Sequence, residues 1–180
     1  GVAERAAERL GPTVYSRYGR TLDAEVGGRH GRLGATLAVA ESATGGSLAQ
    51  RITSVPGSSE WFIGGYITYS HRMKTELLGV PAELLAQYGA VSKETAAAMA
   101  EGARRATQSG WSVSITGNAG PSTDGAEAPA GTIFIGIAGP DGTEVTHRLW
   151  AVNDRGRVRA FAAQAALDLL NRRLITHRGA

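Results

Sequence analysis

The sequence predicts an α/β fold, a three-layer α/β/α sandwich around a mostly parallel sheet with an antiparallel hairpin. Short apolar segments alternate with longer amphipathic segments along most of the chain, which is the pattern of successive βα units. A Pro-Asp-Gly turn at 140–142 separates two strand-like segments, and such a turn joins antiparallel neighbours. The length of 180 residues and the hydrophobic content of 42% suit one folded domain with its own core.

The first 34 residues are rich in arginine and glycine and poorly periodic. They predict a short helix over 1–10, a short strand at 13–16 and a weak helix over 20–33 that glycines at 27, 28 and 31 interrupt. We interpret 1–34 as a leader or linker remnant from a preceding domain, and 35–180 as the folded domain. The start at Gly1 without an initiator methionine fits a fragment of a longer chain.

The next elements follow from local patterns. Residues 36–40 form a continuous apolar run, as in a buried parallel strand, and the spacing of Leu48, Ile52 and Val55 predicts a helix after a glycine turn. Aromatic and β-branched residues predict a second strand over 61–69. Two short helices follow, over 72–78 and 82–87.

The second half of the domain contains two well-marked helix starts. Ser92 is a good cap for an alanine-rich helix that ends near 107, and Asp154 is a good cap for a final helix. Between them, alternation predicts a strand over 111–116, a polar loop follows to 129, and the hairpin strands cover 132–135 and 145–150.

Composition excludes several classes of function. The chain has no cysteine, which removes disulfides, thiol catalysis and thiolate metal sites. The four histidines are isolated in sequence, so we expect no metal site. We also expect no cofactor. The net charge is +3 and the arginines are dispersed, so we expect no direct binding of nucleic acid. No signal peptide or membrane segment is apparent, and the expected compartment is the cytoplasm.

Two glycine-rich turns follow predicted strands, at the edge of an α/β sheet where ligands gather. The first contains Thr44, Gly45 and Gly46, and the second begins with Thr116 and Gly117. Free N–H groups at the helix start after the first turn would suit a phosphate. Tight turns that need glycine for steric reasons explain both segments equally well, and the two interpretations stay open.

A third segment carries hydroxyls, an aromatic and a lysine. Ser58 and Ser59 lie in a turn, and Tyr69 and Lys74 follow. A serine is a weak nucleophile unless a base takes its proton, and a buried, neutral lysine can serve as that base. Only two of the 19 basic residues are lysines, which draws attention to Lys74. A solvated lysine and a strand tyrosine are the alternative interpretation.

Six motifs in one order carry a resemblance to a known family. They are A-E-S-A-T-G-G at 40–46, V-P-G-S-S-E-W-F at 55–62, G-Y-I-T-Y-S at 65–70, Lys74 with L-L-G-V at 77–80, G-A-V-S at 89–92 and T-G-N-A-G-P at 116–121. Together they closely resemble the C-terminal domain of the competence/damage-inducible protein CinA, the nicotinamide mononucleotide deamidase family. The resemblance covers about 36–175.

The resemblance implies an amidohydrolase that converts nicotinamide mononucleotide and water to nicotinate mononucleotide and ammonia in pyridine-nucleotide salvage. It implies a metal-free reaction, a homodimer and, in longer chains, a preceding nucleotide-pyrophosphatase-like domain. The family's serine, tyrosine and lysine fall on Ser59, Tyr69 and Lys74. The expected substrate-binding residues are Thr44, Gly45, Gly46, Ser58, Thr116, Gly117 and Arg155.

The sequence departs from the family pattern at two places. Ala43 stands where the family usually has cysteine, and Asn118 stands where an aliphatic residue is usual. Because the expected chemistry rests on Ser59, we expect activity to survive the first departure. The alternative function is a non-catalytic domain that binds a nucleotide, dimerises or regulates a competence or DNA-damage protein.

Overall fold

Five strands form one sheet in the computed structural model, which describes residues 2–11, 14–16, 19–121, 128–152 and 154–177. The sheet order is β2-β1-β3-β4-β5. Strands β2, β1 and β3 are parallel, and β4 and β5 continue the sheet as an antiparallel hairpin. The strands are β1 Leu37–Glu41, β2 Phe62–Ile67, β3 Trp111–Gly117, β4 Thr132–Gly139 and β5 Gly142–Leu149.

Helices cover both faces of the sheet, which confirms the predicted three-layer sandwich. Helices α4, α5 and α6 pack on one face, and α2, α3 and α7 pack on the other. Among the described residues, no helix has the length and apolar content to cross a membrane. The helices are α1 Val2–Leu10, α2 Leu22–Leu33, α3 Ser47–Thr53, α4 His71–Leu78, α5 Ala82–Tyr88, α6 Lys93–Thr107 and α7 Arg155–Thr176.

Both predicted helix caps are present. The hydroxyl of Ser92 accepts the N–H of Thr95 at the start of α6, and the carboxylate of Asp154 accepts the N–H of Arg157 at the start of α7. Each cap satisfies one of the free N–H groups that every helix start exposes. The sequence therefore placed both long helices correctly.

The N-terminal segment differs from its interpretation as a weak, interrupted helix. Helix α2 runs without a break, and Leu22 and Val26 are buried in the core against α7. Gly27 has a packing role, because a Cβ there would lie 2.9 Å from the Trp61 ring. No strand is present at 14–16, and Thr13 lies outside the described residues. The division of the chain at residue 34 stays a prediction.

The carboxyl ends of the three parallel strands meet at one edge of the sheet. The segments that begin at 42, 68 and 118 leave the sheet at this edge, after β1, β2 and β3. Because β4 and β5 are antiparallel, β5 also ends there, with Leu149 opposite Thr132. Helix α7 therefore begins beside the same edge, and its first residues are close to the strand ends.

Candidate active site

Lys74 is the central charged side chain at this edge. It lies in α4, which begins after the capping residue Ser70, and it is completely buried. Its Nζ donates to the carbonyl oxygen of Thr68 at 2.7 Å and lies 3.2 Å from Oγ of Ser42. Burial lowers the pKa of Lys74 from 10.5 to about 8, because the charged form loses its hydration. A substantial fraction of Lys74 is therefore neutral in mildly alkaline solution.

Ser42 is the hydroxyl that the fold brings to Lys74. It follows the last residue of β1, its N–H donates to the carbonyl of Ile115, and it is 7% exposed. A neutral lysine amine has two N–H donors and one lone pair. Nζ donates to Oγ of Ser42 in the structure, and once the amine is neutral its lone pair can take the Ser42 hydroxyl proton instead. The pair has the composition of an activated nucleophile and its base.

Ser59, the expected nucleophile, lies at the opposite end of the sheet. It is exposed, in a 3-10 turn over Ser58–Glu60 that precedes β2. The carbonyl of Trp61 accepts the N–H of Leu37 at the start of β1, whereas Lys74 lies at the end of β1. A strand of five residues separates these ends by about 15 Å. The structure thus separates Ser59 from Tyr69 and Lys74, with which the expected mechanism combined it, and Ser58 lies in the same distant turn.

The glycine turn after β1 does not offer the free helix start that the sequence suggested. The carboxylate of Glu41, only 1% exposed, accepts the N–H groups of Gly46 at 3.0 Å, Leu48 at 3.1 Å and Ala49 at 2.8 Å. The N–H of Gly45 donates to Ser42. These groups already have acceptors within the chain, which disfavours a phosphate on them, and the expected contact of Gly45 and Gly46 with substrate stays a prediction.

Thr44 is placed in the same turn by α7. Its carbonyl accepts two N–H groups of Arg159, at 2.7 and 3.3 Å. Its hydroxyl is buried and has no partner among the described residues, and the same is true of the Thr68 hydroxyl. Buried hydroxyls are nearly always paired. Thr44 follows the end of β1 and Thr68 follows the end of β2, so both hydroxyls lie at the edge of the sheet that carries Ser42 and Lys74.

Tyr69 and Arg155 meet at the same edge of the sheet. Nη2 of Arg155 donates to the Tyr69 hydroxyl oxygen at 3.0 Å, and Nη1 donates to the carbonyl of Gly120 at 2.8 Å. Tyr69 is 64% exposed, and Arg155 is exposed as well. The guanidinium of Arg155 is therefore fixed in place but open to solvent, as an anion-binding group must be.

Thr116 and Gly117 have structural contacts. The buried Thr116 hydroxyl donates to the carbonyl of Ala90 at 2.6 Å, which ties the segment between α5 and α6 to the end of β3. Gly117 is required by close packing, because a Cβ there would overlap the carbonyl of Thr132. The structure gives the Thr116 hydroxyl proton an acceptor within the chain, and its expected contact with substrate stays a prediction.

Comparison with known proteins decides the family. The family model described as the CinA C-terminal domain matches residues 19–174. This chain belongs to the CinA C-terminal domain family. A CinA-like protein of Solibacter usitatus is 56% identical over 165 residues, which are 92% of this chain and 39% of that protein. A CinA-like protein of Geotalea daltonii is 46% identical over 97% of this chain and 42% of its own length.

Solved structures support the same assignment. A CinA superfamily protein from Klebsiella pneumoniae 700603 matches with a TM-score of 0.83 and 28% identity, over 87% of this chain and 97% of its own. A CinA superfamily protein from Escherichia coli matches with a TM-score of 0.79 and 29% identity, over 90% of this chain and 97% of its own. The chain spans about two fifths of the length of the curated relatives named above.

Sequence reasoning about this CinA domain missed three residues of the edge. Glu41 and Ser42 lie in a recognised motif but were given no role, and Arg159 lies outside every motif that was recognised. One signal was available for Ser42, because it directly follows a buried parallel strand, where ligand-binding residues are common. No signal in the sequence showed that the carboxylate of Glu41 folds back onto its own turn, or that Arg159 reaches Thr44.

Proposed function

We propose that this CinA domain is an amidohydrolase that hydrolyses nicotinamide mononucleotide to nicotinate mononucleotide and ammonia, with Ser42 as nucleophile and Lys74 as base. The observation that carries the proposal is the 3.2 Å contact between the Ser42 hydroxyl and the buried amine of Lys74. The lowered pKa of Lys74 supplies the neutral amine that the reaction needs. The family resemblance suggests the substrate.

The chemistry follows the usual course of acyl transfer. Neutral Lys74 takes the proton of Ser42 as Oγ bonds to the carboxamide carbon, and the carbonyl electron pair moves to its oxygen. Collapse of this intermediate breaks the C–N bond, and Lys74 gives the proton to the leaving ammonia. A water molecule then attacks the acyl-enzyme with Lys74 again as base, which releases the carboxylate product and restores Ser42.

The phosphate of the substrate fits the exposed guanidinium of Arg155. A planar guanidinium binds phosphate with two parallel hydrogen bonds, and Tyr69 and Gly120 hold this guanidinium in place. Arg159 lies one helical turn further along α7 and adds a second positive charge near Thr44. In this proposal the positive charge that attracts the phosphate comes from Arg155 and Arg159 of α7.

The decisive experiment compares two serine variants. Ser42→Ala should abolish ammonia release from nicotinamide mononucleotide, with a loss of at least about 10³-fold. The matched control is Ser59→Ala, which removes the exposed hydroxyl at the opposite end of the sheet and should leave the rate within a factor of three. Initial rates of ammonia release measure both variants.

Three outcomes have distinct meanings. An active Ser42→Ala would overturn the role of Ser42, and an inactive Ser59→Ala beside an active Ser42→Ala would restore Ser59 as the nucleophile. A wild-type protein that binds the nucleotide without releasing ammonia would favour the alternative of a non-catalytic binding or regulatory domain. A homodimer and a preceding nucleotide-pyrophosphatase-like domain stay predictions from the resemblance.

A further inference from the structure

The turn that follows Ser42 is held by contacts from both of its ends. Glu41 accepts three N–H groups from the far side of the turn, and the N–H of Gly45 closes back on the carbonyl of Ser42. Arg159 holds the carbonyl of Thr44 from α7. These bonds fix the backbone on either side of Ala43.

Two backbone N–H groups in this turn have no hydrogen-bond acceptor among the described residues. Within the described part of the chain, the backbone N–H groups of Ala43 and Thr44 donate to no acceptor, although both residues are buried. More than nine in ten buried backbone N–H groups are paired in folded proteins. Two adjacent unpaired groups therefore call for an acceptor that the described residues do not supply.

The position of the Ala43 and Thr44 N–H groups indicates which acceptor they bind. They belong to the two peptide units that directly follow Ser42, the proposed nucleophile. In acyl transfer the carbonyl oxygen of the substrate becomes an anion close to the nucleophile, and fixed backbone donors stabilise it. The Glu41 carboxylate does not compete for these donors, because it already accepts three N–H groups on the far side of the turn.

We propose that the N–H groups of Ala43 and Thr44 form the oxyanion site of this domain, and that Glu41 is a positioning residue that keeps the turn in shape. The inference rests on the proposed function, because it needs Ser42 as the nucleophile. As Ser42 Oγ bonds to the carboxamide carbon, the carbonyl oxygen takes the electron pair and accepts both hydrogen bonds. When the C–N bond breaks, the electron pair returns and the carbonyl re-forms.

Replacement of one N–H by oxygen is the direct test. Lactic acid in place of Ala43 converts that peptide bond to an ester and leaves the methyl side chain unchanged. The ester should lower kcat by about 10²- to 10³-fold, as removal of one oxyanion donor does in other acyl-transfer enzymes. KM should change less than threefold, and the melting temperature should stay close to wild type, because the lost N–H has no partner among the described residues.

The matched control places lactic acid at Ala86, an exposed position in α5. It removes a backbone N–H far from Ser42 and should leave kcat unchanged. Suppose that Ser42→Ala is inactive but the Ala43 ester keeps kcat within threefold of wild type. That result overturns the oxyanion site and leaves the proposed function standing. Wild-type protein without ammonia release, or an active Ser42→Ala, overturns the proposed function and this inference together.

Discussion

Nη2 of Arg155 donates to the hydroxyl of Tyr69 at 3.0 Å, which joins the start of α7 to the segment after β2. Arg155→Ala should raise KM for nicotinamide mononucleotide about 10- to 100-fold and change kcat little, because a charge-assisted hydrogen bond to phosphate is lost in the ground state and the transition state alike. Steady-state ammonia release measures both constants.

Two comparisons make the Arg155 prediction specific. Nicotinamide riboside lacks the phosphate, so its weaker hydrolysis should be equally slow in wild type and Arg155→Ala. Arg157→Ala is the matched control, because its guanidinium lies over the Phe161 ring at 5.6 Å, and it should keep the wild-type KM. Equal KM values for Arg155→Ala and wild type would contradict a phosphate contact.

The pH dependence of hydrolysis should report the titration of Lys74. Burial lowers the pKa of this amine to about 8, and only the neutral amine can take the Ser42 proton. The value of kcat/KM should therefore rise with pH between about 7 and 9 and level off above that range. Initial rates from pH 6 to 10 measure this profile.

A lysine variant gives the control for this profile. Lys74→Arg keeps a positive side chain that does not lose its proton in this range, so it should be inactive at every pH tested. A rate that is constant from pH 7 to 9 in wild type, or a Lys74→Arg protein with measurable turnover, would remove lysine from the base role.

The sequence predicted the fold more fully than the site. Alternating strand and helix patterns are local, so each predicted element of the sandwich was found close to its expected bounds. The weak helix before β1 was misread because Gly27 was taken as an interruption, whereas it makes room for the Trp61 ring. That packing partner is 34 residues away in sequence, and no local pattern shows it.

The site was also harder to predict from local patterns, because residues far apart in sequence form it. Tyr69, Lys74 and Arg155 were all expected, and the structure brings them to one edge. Ser59 precedes Tyr69 by only ten residues, which suggested proximity, but β2 lies between them and carries Ser59 to the other end of the sheet. Ser42 is 32 residues from Lys74 and becomes its neighbour only through the parallel pairing of β1 with β2.

Glu41→Gln should destabilise the fold as well as slow the reaction. The buried carboxylate accepts three N–H groups, and the amide of glutamine replaces one acceptor oxygen with a donor. One or more buried N–H groups then lose their acceptor, at a cost of about 1–3 kcal/mol in the free energy of unfolding. Urea denaturation at pH 8 measures this loss, and kcat for ammonia release, taken well below the melting temperature of the variant, measures the slower reaction.

Glu94→Gln is the control for Glu41. Glu94 is an exposed carboxylate in the first turn of α6, and its neutralisation should cost at most about 1 kcal/mol through the helix dipole. Similar stabilities for Glu41→Gln and wild type would show that the three N–H groups find other acceptors, and an unchanged kcat of the folded variant would leave Glu41 without a positioning role.

His30 should make the fold sensitive to mild acid. It is completely buried, stacks on Trp61 with ring centroids 5.3 Å apart, and its Nδ1 lies 3.0 Å from the carbonyl of Ala35. Its Nε2 has no partner within the described residues. Burial lowers the pKa of His30 from 6.5 to about 4, because a second proton would place an unpaired charge inside the core.

The sign of the effect follows from the two pKa values of His30. Between about pH 6.5 and 4 the unfolded chain binds a proton that the folded chain does not, so the free energy of unfolding falls as the pH falls. The full contribution is present above pH 6.5, and about 3 kcal/mol is lost by pH 4. His30→Leu cannot titrate and should lack this part of the acid dependence, whereas His71→Gln, at an exposed position, should retain it. Urea denaturation from pH 4 to 8 compares the three proteins, and parallel curves for wild type and His30→Leu would contradict the prediction.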